Sequence, residues 1–372
     1  MDVTVVAGPE LTADIALLES LTTATAAGLG VSGRLLVADS ADALRASVAA
    51  TAPPVVVLPG PTPEARALIT GAAPHVLWYD LTAETPVAGA LHLHGRGVWG
   101  LAWAIRHAVH RLRSPAARIA YGPDPDQWGD LRLPSPTGPP PAPVAVLLHG
   151  GFWRSVWGAD LMDALAVDLT ARGYASWNVE YRRPDQHGWD ATTADVASAL
   201  AVLPDLAGTG VLDLDRIVVL GHSAGGQLAL RAAADLVAGT GPGPHRSGNA
   251  APGLRLVVSL AGVLDLAESE RRQLGDGAVA AALDGAPATV PQRYATSDPM
   301  ARLPLTVPIL LVQGAGDSLD LVDINRRFAA AGRAAGDDLG HLELPGDHFD
   351  VIDPGTAIWR ATLEQVDRRL RR

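Results

Sequence analysis

The chain has 372 residues, no cysteine and a formal net charge of −11 at neutral pH. These totals exclude disulfides, thiolate nucleophiles and cysteine-bound metals, and the acidic balance argues against nucleic acid or an anionic membrane as a partner. The 48% of hydrophobic residues is enough for buried cores, and the length favours two domains.

Residues 1–113 alternate between apolar runs of strand length and helical stretches rich in alanine and leucine. This alternation predicts a doubly wound, flavodoxin-like α/β domain with a parallel sheet. The first residues carry no basic region before an apolar run, so we expect no signal peptide. The absence of cysteine favours a cytoplasmic protein, and basic residues that are all arginine, with abundant alanine, glycine and proline, favour a bacterial one. The predicted strands are Val3–Ala7, Arg34–Ala38, Val55–Leu58, Val76–Tyr79 and Leu91–His94, and the predicted helices are 11–28, 41–51, 62–72 and Val98–Arg113.

Glycine-bearing segments at 5–11, 58–60 and 95–102 resemble type II 3-dehydroquinate dehydratases. The chain departs from that family where its chemistry lies: the family's Asn-Pro-Gly-Ala-Tyr-Thr-His reads Leu-Pro-Gly-Pro-Thr-Pro-Glu here, and no tyrosine precedes Tyr79. We therefore expect a non-catalytic domain retained for packing or assembly. Because the family assembles through such domains, the resemblance implies by analogy a homo-oligomer.

Two histidine pairs in this domain could ligate a metal. His92 and His94 share a strand face, and His107 and His110 share a helix face. No carboxylate cluster accompanies either pair in the sequence, so surface or hydrogen-bonded histidines are favoured and no metal is expected.

The second domain is assigned to residues 114–372. Its boundary is placed near 113 because 119–122 and 129–133 look like antiparallel first strands ahead of the proline-rich loop 134–141. From residue 144 a strong βα pattern predicts a mostly parallel sheet with helices on both faces, and 264–303 is irregular and is interpreted as a cap. The predicted strands are Val144–Leu148, Ala175–Val179, Ile217–Leu220, Leu254–Leu260, Ile309–Val312 and Leu342–Leu344, and the helices are Asp160–Ala171, Thr193–Leu203, Gln227–Leu236, Ile324–Ala335 and Thr356–Arg371.

A glycine-bracketed serine, Ser223, stands between the apolar run 217–220 and a helical pattern. This is the strand–turn–helix context of the G-x-S-x-G motif, in which a strained turn lifts the serine Oγ clear of the sheet at a helix N-terminus. A serine nucleophile also needs a base and an acid that orients it. Asp317 and His348 follow the last two strands in the order Ser…Asp…His, with Asp320 as the competing acid.

The remaining site residues are assigned around this triad. The H-G-G-F-W segment at 149–153 follows a long apolar strand, and its two glycines let the backbone approach a substrate closely. The predicted oxyanion hole consists of the backbone N–H groups of Gly150, Gly151 and Ala224. The predicted substrate contacts are Phe152, Trp153 and Tyr181, with Trp157, Trp177 and Trp189 as further pocket candidates against a core-packing alternative.

H-G-G-F-W, G-H-S-A-G-G, G-x-x-D and G-D-H-F occur in this order over residues 115–372 and resemble α/β-hydrolase carboxylesterases; H-G-G-x-W is similar to bacterial kynurenine formamidases. The resemblance implies a serine hydrolase for a small-acyl ester or aryl formamide, without metal or organic cofactor. Many relatives have a Val-Pro pair where 320–321 stands here. Acyl transfer or a lyase step on the same fold, and a non-enzymatic assembly protein, remain the alternatives.

Overall fold

The computed structural model describes residues 1–71, 73, 75–135, 141–239 and 253–370. The chain divides into two compact units, Met1–Pro115 and Ala116–Arg372. Three sequence predictions reach beyond the described residues: positions 136–140 of the proline-rich loop, position 72 of the helix at 62–72, and Arg371 at the end of the last helix. In the described ranges no helix combines the length and apolar character needed to cross a bilayer.

The first unit is a five-stranded parallel sheet in the order β2-β1-β3-β4-β5, the order that flavodoxin-like sheets share. Helices cover both faces, because α1 and α4 pack in one apolar cluster while α2 and α3 pack in another. The strands are β1 Asp2–Ala7, β2 Ser32–Val37, β3 Val55–Leu58, β4 Val76–Asp80 and β5 His92–His94, and the helices are α1 Ile15–Gly28, α2 Ala41–Ala50, α3 Pro63–Arg66 and α4 Gly100–Arg113.

The second unit is built on an eight-stranded sheet in the order β13-β12-β11-β10-β8-β9-β7-β6. Strand β7 runs antiparallel to both of its neighbours, β6 and β9, and the other neighbouring pairs are parallel. The strands are β6 Ala117–Ala120, β7 Trp128–Arg132, β8 Ala142–Leu148, β9 Ala175–Val179, β10 Leu212–His222, β11 Leu254–Leu260, β12 Ile309–Gly314 and β13 Leu339–Leu344. The mixed α/β fold predicted from the sequence is confirmed.

Helices occupy the connections between these strands. They are α5 Asp163–Ala171, α6 Pro184–His187, α7 Trp189–Ala201, α8 Leu203–Leu206, α9 Ala224–Ala238, α10 Leu266–Arg271, α11 Ala278–Leu283, α12 Pro291–Ser297, α13 Leu319–Ala334 and α14 Ala357–Leu370. The carboxyl ends of β8, β10, β12 and β13 lie at one edge of the sheet, so the loops that leave them are brought together.

Three local predictions were wrong. The segment 264–303 is not irregular but holds α10, α11 and α12, whose lengths of 6, 6 and 7 residues are too short to show helical periodicity. The helix predicted at 62–72 is a single turn of 4 residues. The helix predicted from 324 begins at Leu319, because Ser318 already serves as its N-terminal boundary residue. This last difference decides where Asp320 lies.

Candidate active site

Ser223 lies on a strained turn between β10 and α9, with φ 54° and ψ −117°, and is 2% exposed. The neighbouring glycines make the turn sterically possible. A Cβ on Gly221 would lie 2.0 Å from the carbonyl oxygen of Gly225, and one on Gly225 would lie 2.2 Å from that of Leu148. The backbone N–H of Ser223 donates to the carbonyl of Leu260 at 2.8 Å. The strained serine is therefore held by close backbone packing and by the adjacent strand β11.

An acid–base pair lies on the loops after β12 and β13. Nδ1 of His348 lies 2.8 Å from Oδ2 of Asp317. The Asp317 carboxylate also accepts from Nε2 of Gln313 at 2.9 Å and from the backbone N–H of Ser318 at 2.6 Å. Burial alone would raise the pKa of Asp317, but the hydrogen bond and charge of His348, with these further donors, hold it below its usual value. The ionised carboxylate requires a proton on Nδ1, which leaves Nε2 as the basic nitrogen of His348.

Asp320 lies elsewhere. It is in the first turn of α13, is about half exposed, and accepts from Nη1 of Arg272 at 3.0 Å. The same guanidinium contacts Asp323 at 2.7 Å. Asp320 therefore joins an ion-pair cluster between α10 and α13 and does not cap the helix. Of the two candidate acids, the structure brings Asp317 to His348.

The loop after β8 approaches the serine turn closely. A Cβ on Gly150 would lie 2.7 Å from the carbonyl oxygen of His222 and 2.8 Å from Cβ of Ser223, so only glycine fits there. The next three residues all have positive φ angles: 109° at Gly151, 51° at Phe152 and 57° at Trp153. Ala224, the third predicted oxyanion residue, is the first residue of α9, where helix N–H groups lack intrahelical partners. The chain thus places backbone donors of two segments beside Ser223.

A buried ionic network holds this loop from behind. Nε2 of His149 lies 3.0 Å from Oε1 of Glu180, and Arg183 forms an ion pair with the same carboxylate. The ring of Tyr181 stacks on that of His149 at 4.2 Å, and its hydroxyl donates to the His149 carbonyl at 2.7 Å. Burial acts to raise the pKa of Glu180, but the charges of Arg183 and His149 lower it to about 2. Glu180 is therefore ionised and holds the rings and charges of His149 and Arg183 in place behind the loop.

Sequence reasoning missed Glu180 and Gln313 as supports of the site. Glu180 had one usable signal, since a carboxylate that follows a buried strand and precedes two arginines needs a buried partner. Gln313 had none, because an amide inside the apolar run of β12 resembles any other strand position until its neighbour across the turn is known.

Two of the three predicted substrate contacts are buried in the core. Trp153 is 1% exposed and its indole N–H donates to Oε1 of Gln227 at 3.2 Å. Tyr181 is fully buried against His149. Both side chains complete the packing of the protein and present no surface to a ligand in this structure. Phe152 remains partly exposed, and its ring lies against Gly275 in the turn between α10 and α11.

The three tryptophans predicted as further pocket candidates differ in their burial. Trp177 is fully buried and donates to the carbonyl of Ala199 at 3.0 Å. Trp189 is 2% exposed and donates to Oγ of Ser297 at 2.8 Å. Trp157 is partly exposed and adjoins Gly151: a Cβ added to Gly151 would lie 2.3 Å from Cβ of Trp157. Phe152 and Trp157 are the aromatic side chains of this set that keep accessible surface. Both adjoin residues 149–151 of the loop after β8, which is called the oxyanion loop below.

His92 and His94 of the first unit are hydrogen-bonded. Nε2 of His92 lies 2.8 Å from Oδ2 of Asp80, which also pairs with Arg66, and Nδ1 of His92 receives the Val87 N–H at 3.2 Å. His94 receives a backbone N–H on Nδ1 at 3.2 Å. Because Arg66 pairs with the Asp80 carboxylate and both ring nitrogens of His92 are hydrogen-bonded, this cluster is an internal ionic network.

One group of side chains in the second unit has metal-like spacing. Asp124, Asp126 and His187 bring one ligand atom each within 4.8 Å of one another. Nη2 of Arg183 lies 3.2 Å from Oδ2 of Asp126, so a bound guanidinium already occupies the cation's place at that carboxylate.

The comparisons with known proteins point to the same segments. The family model described as BD-FAE matches residues 130–329, just over half of the chain, a stretch that contains Gly150, Ser223 and Asp317 and ends before His348. Among curated proteins, the chain is 30% identical over 267 residues to Esterase LipC of Mycobacterium tuberculosis, covering 67% of this chain and 63% of that one. It is 31% identical over 159 residues to Hydrolase LUC6 of a Fusarium species, covering 39% and 33%. The chain thus spans less than two thirds of these relatives' length.

Solved structures show the same fold at low sequence identity. Esterase B of Lactobacillus rhamnosis matches with a TM-score of 0.60 at 19% identity, over 72% of this chain and 91% of that one. The esterase Est2 of Thermogutta terrifontis, with propionate bound, matches with a TM-score of 0.52 at 21% identity, over 68% and 92%. The predicted resemblance to α/β-hydrolase carboxylesterases is confirmed. With more than half of its residues matched by the family model, the chain belongs to the BD-FAE family of α/β-hydrolase esterases.

Proposed function

We propose that this chain is a serine carboxylesterase that cleaves esters of small acyl groups through an acyl-enzyme. One observation carries the proposal: a serine with a positive φ angle on a strand–helix turn coexists with a 2.8 Å contact between Nδ1 of His348 and Asp317 in loops from the same sheet edge. Each of these features is costly for stability or unusual, and together they are what nucleophilic acyl transfer requires.

In the proposed mechanism, Oγ of Ser223 attacks the ester carbonyl carbon while Nε2 of His348 takes the hydroxyl proton. The resulting imidazolium is stabilised by the ionised Asp317. Backbone N–H groups of Gly150, Gly151 and Ala224 stabilise the oxyanion of the tetrahedral intermediate. The intermediate collapses, His348 returns the proton to the alcohol oxygen, and the C–O bond breaks. Water activated by His348 then attacks the acyl-enzyme and releases the acid and Ser223.

The proposed substrate is an ester of a short acyl chain whose alcohol portion is aromatic or compact. Phe152 and Trp157 flank the oxyanion loop with accessible ring surface, whereas Trp153 and Tyr181 are sealed in the core. The structures of the related fold with propionate and butyrate bound motivate the acyl lengths to be tested. An aryl formamide is the second candidate, because the same two rings suit an aniline-type leaving group.

The direct test is hydrolysis of p-nitrophenyl acetate, butyrate and octanoate and of formanilide, with the products identified. We expect turnover of the acetate or butyrate ester and labelling of Ser223 by a fluorophosphonate. Ser223→Ala should lower kcat by about 10⁴-fold or more. A label on another serine would overturn the assignment, and transfer of the acyl group to a second substrate without acid release would favour the acyl-transfer alternative.

The first unit is proposed to be catalytically silent and to serve in packing or homo-oligomer assembly. Its Asp80 carboxylate and the ring nitrogens of His92 are engaged with each other and with neighbouring groups, so this pair, the acid and histidine described there, is not free to act as an acid–base pair for dehydration. Full-length protein should not dehydrate 3-dehydroquinate, and turnover that survives Ser223→Ala would refute this. Sedimentation velocity of the full chain tests the homo-oligomer.

A further inference from the structure

His222 is the last residue of β10, directly before Ser223, and is 1% exposed. Its Nε2 lies 3.0 Å from the backbone carbonyl oxygen of His348. A carbonyl can only accept, so Nε2 of His222 carries the proton and Nδ1 does not. Within the described residues, Nδ1 of His222 is buried without a hydrogen-bond partner. The ring is therefore committed to a single polar contact, and that contact is with the backbone of His348.

The ring of His222 also fills the space between the loops of the site. Its centroid lies 4.7 Å from that of His348 and 5.7 Å from that of Phe349. On the other side, Nδ1 lies 2.9 Å from the position that a Cβ on Gly150 would take. His222 thus connects three segments of the site. Its backbone leads directly into the serine turn, its ring donates a hydrogen bond to the His348 loop, and the same ring packs against the oxyanion loop.

The electrostatics keep this ring neutral. Burial lowers the pKa of His222 to about 3, and the neighbouring His348 acts in the same direction. The hydrogen bond to the His348 carbonyl and the charge of Asp317 oppose the shift, while His149 adds to it. A neutral His222 does not repel the imidazolium that His348 becomes during turnover.

We propose that His222 is a positioning residue of the proposed esterase: its Nε2–H holds the carbonyl of His348, and so keeps the imidazole of His348 on Asp317 and beside the turn that carries Ser223. The proposal rests on the proposed function, since it concerns the same triad. The hydrogen bond acts on the backbone of the very residue whose ring must hold its orientation. Loss of this bond would let the loop after β13 shift relative to the serine turn.

The experiment compares His222→Gln, which can present an N–H donor at a similar reach, with His222→Leu, which keeps bulk but cannot donate. His341, a largely buried histidine on β13 with no part in the site, provides the control His341→Leu. We expect His222→Leu to lower kcat by about 10- to 100-fold with little change in KM, as for small displacements of a catalytic group. His222→Gln should recover most of kcat, and His341→Leu should keep it.

A second readout does not depend on turnover. The proton on Nδ1 of His348 should give a low-field NMR resonance in the wild-type protein, retained in His222→Gln and broadened by exchange in His222→Leu. Equal kcat in folded His222→Leu and wild type, or loss of kcat in His222→Gln as complete as in His222→Leu with both resonances intact, would overturn the proposal. An inert wild-type protein with no fluorophosphonate labelling would instead count against the proposed function, and the resonance would still test the contact.

Discussion

Asp317 and His348 are separated by 31 positions, yet Oδ2 of one lies 2.8 Å from Nδ1 of the other. The contact exists because β12 and β13 are adjacent parallel strands whose carboxyl ends open at the same sheet edge. Asp320, only three positions beyond Asp317, is directed by the start of α13 toward Arg272 instead. Three positions along the chain therefore separate a carboxylate that contacts His348 from one in a half-exposed ion pair.

Asp317→Asn should lower kcat severely, by about 10⁴-fold if the loss matches that in a serine protease triad, because the amide no longer fixes the imidazole tautomer or stabilises the imidazolium. Asp320→Asn is the matched control. It should keep kcat and change the melting temperature little, since it breaks only a half-exposed ion pair. Steady-state kinetics and thermal melts decide the matter, and the reverse pattern would show that the acid is wrongly assigned.

Ser223→Gly should stabilise the folded protein while abolishing activity. Ser223 holds φ 54° and ψ −117°, a conformation that costs a residue with a side chain about 1–3 kcal/mol and glycine much less. Ser223→Ala removes the same hydroxyl but keeps the strain, so the difference in free energy of unfolding between the two variants isolates the backbone term. Urea denaturation measures it. A Ser223→Gly protein no more stable than Ser223→Ala would mean that the turn carries no such strain.

Glu180→Gln should weaken both the oxyanion loop and the fold. The variant leaves Arg183 only the partly exposed Asp126 as an anionic partner, and breaking a buried ion pair costs about 3–5 kcal/mol. The pKa of Glu180 falls from 4.5 to about 2 on folding, so its ionised form stabilises the protein above pH 4.5, and this contribution is lost as the pH falls toward 2. Urea unfolding at a series of pH values should show a decline between pH 4.5 and 2 that is smaller in Glu180→Gln. An identical decline in both proteins would contradict it.

The parts of the fold and site that could be predicted from the sequence are those with a local signature. The strands β8, β10, β11 and β12 each contain an apolar run of at least four residues or one broken by a single polar residue, and Ser223 is bracketed by glycines in the sequence itself. What could not be predicted depends on contacts between distant segments. The short helices α10 to α12 have local end signals, a cap at Asp265 for the first and a proline at the start of the last, but with 6, 6 and 7 residues they show no helical periodicity.

The aromatic residues predicted as substrate contacts show the same limit. Trp153 and Phe152 are adjacent in one motif, yet the first side chain is buried and the second is partly exposed. The difference arises because successive positive φ angles turn the loop between them. Trp153 enters the core and bonds to Gln227, whereas Phe152 lies against Gly275. No periodicity in the sequence distinguishes the two. The position of the Phe152 ring, and with it this candidate contact with substrate, thus depends on Gly275, 123 positions away.

Gly275→Ala should therefore change substrate selectivity. A Cβ at Gly275 would lie 2.6 Å from Cε1 of Phe152, so the ring must move. Gly277→Ala is the matched control, because Gly277 has a similar positive φ angle, 73° against 64°, but its nearest atom is Oε1 of Gln273 at 3.5 Å. Both variants should lose comparable stability from backbone strain. Only Gly275→Ala should shift the ratio of kcat/KM between acetate and butyrate esters, and an unchanged ratio would remove Phe152 from the substrate site.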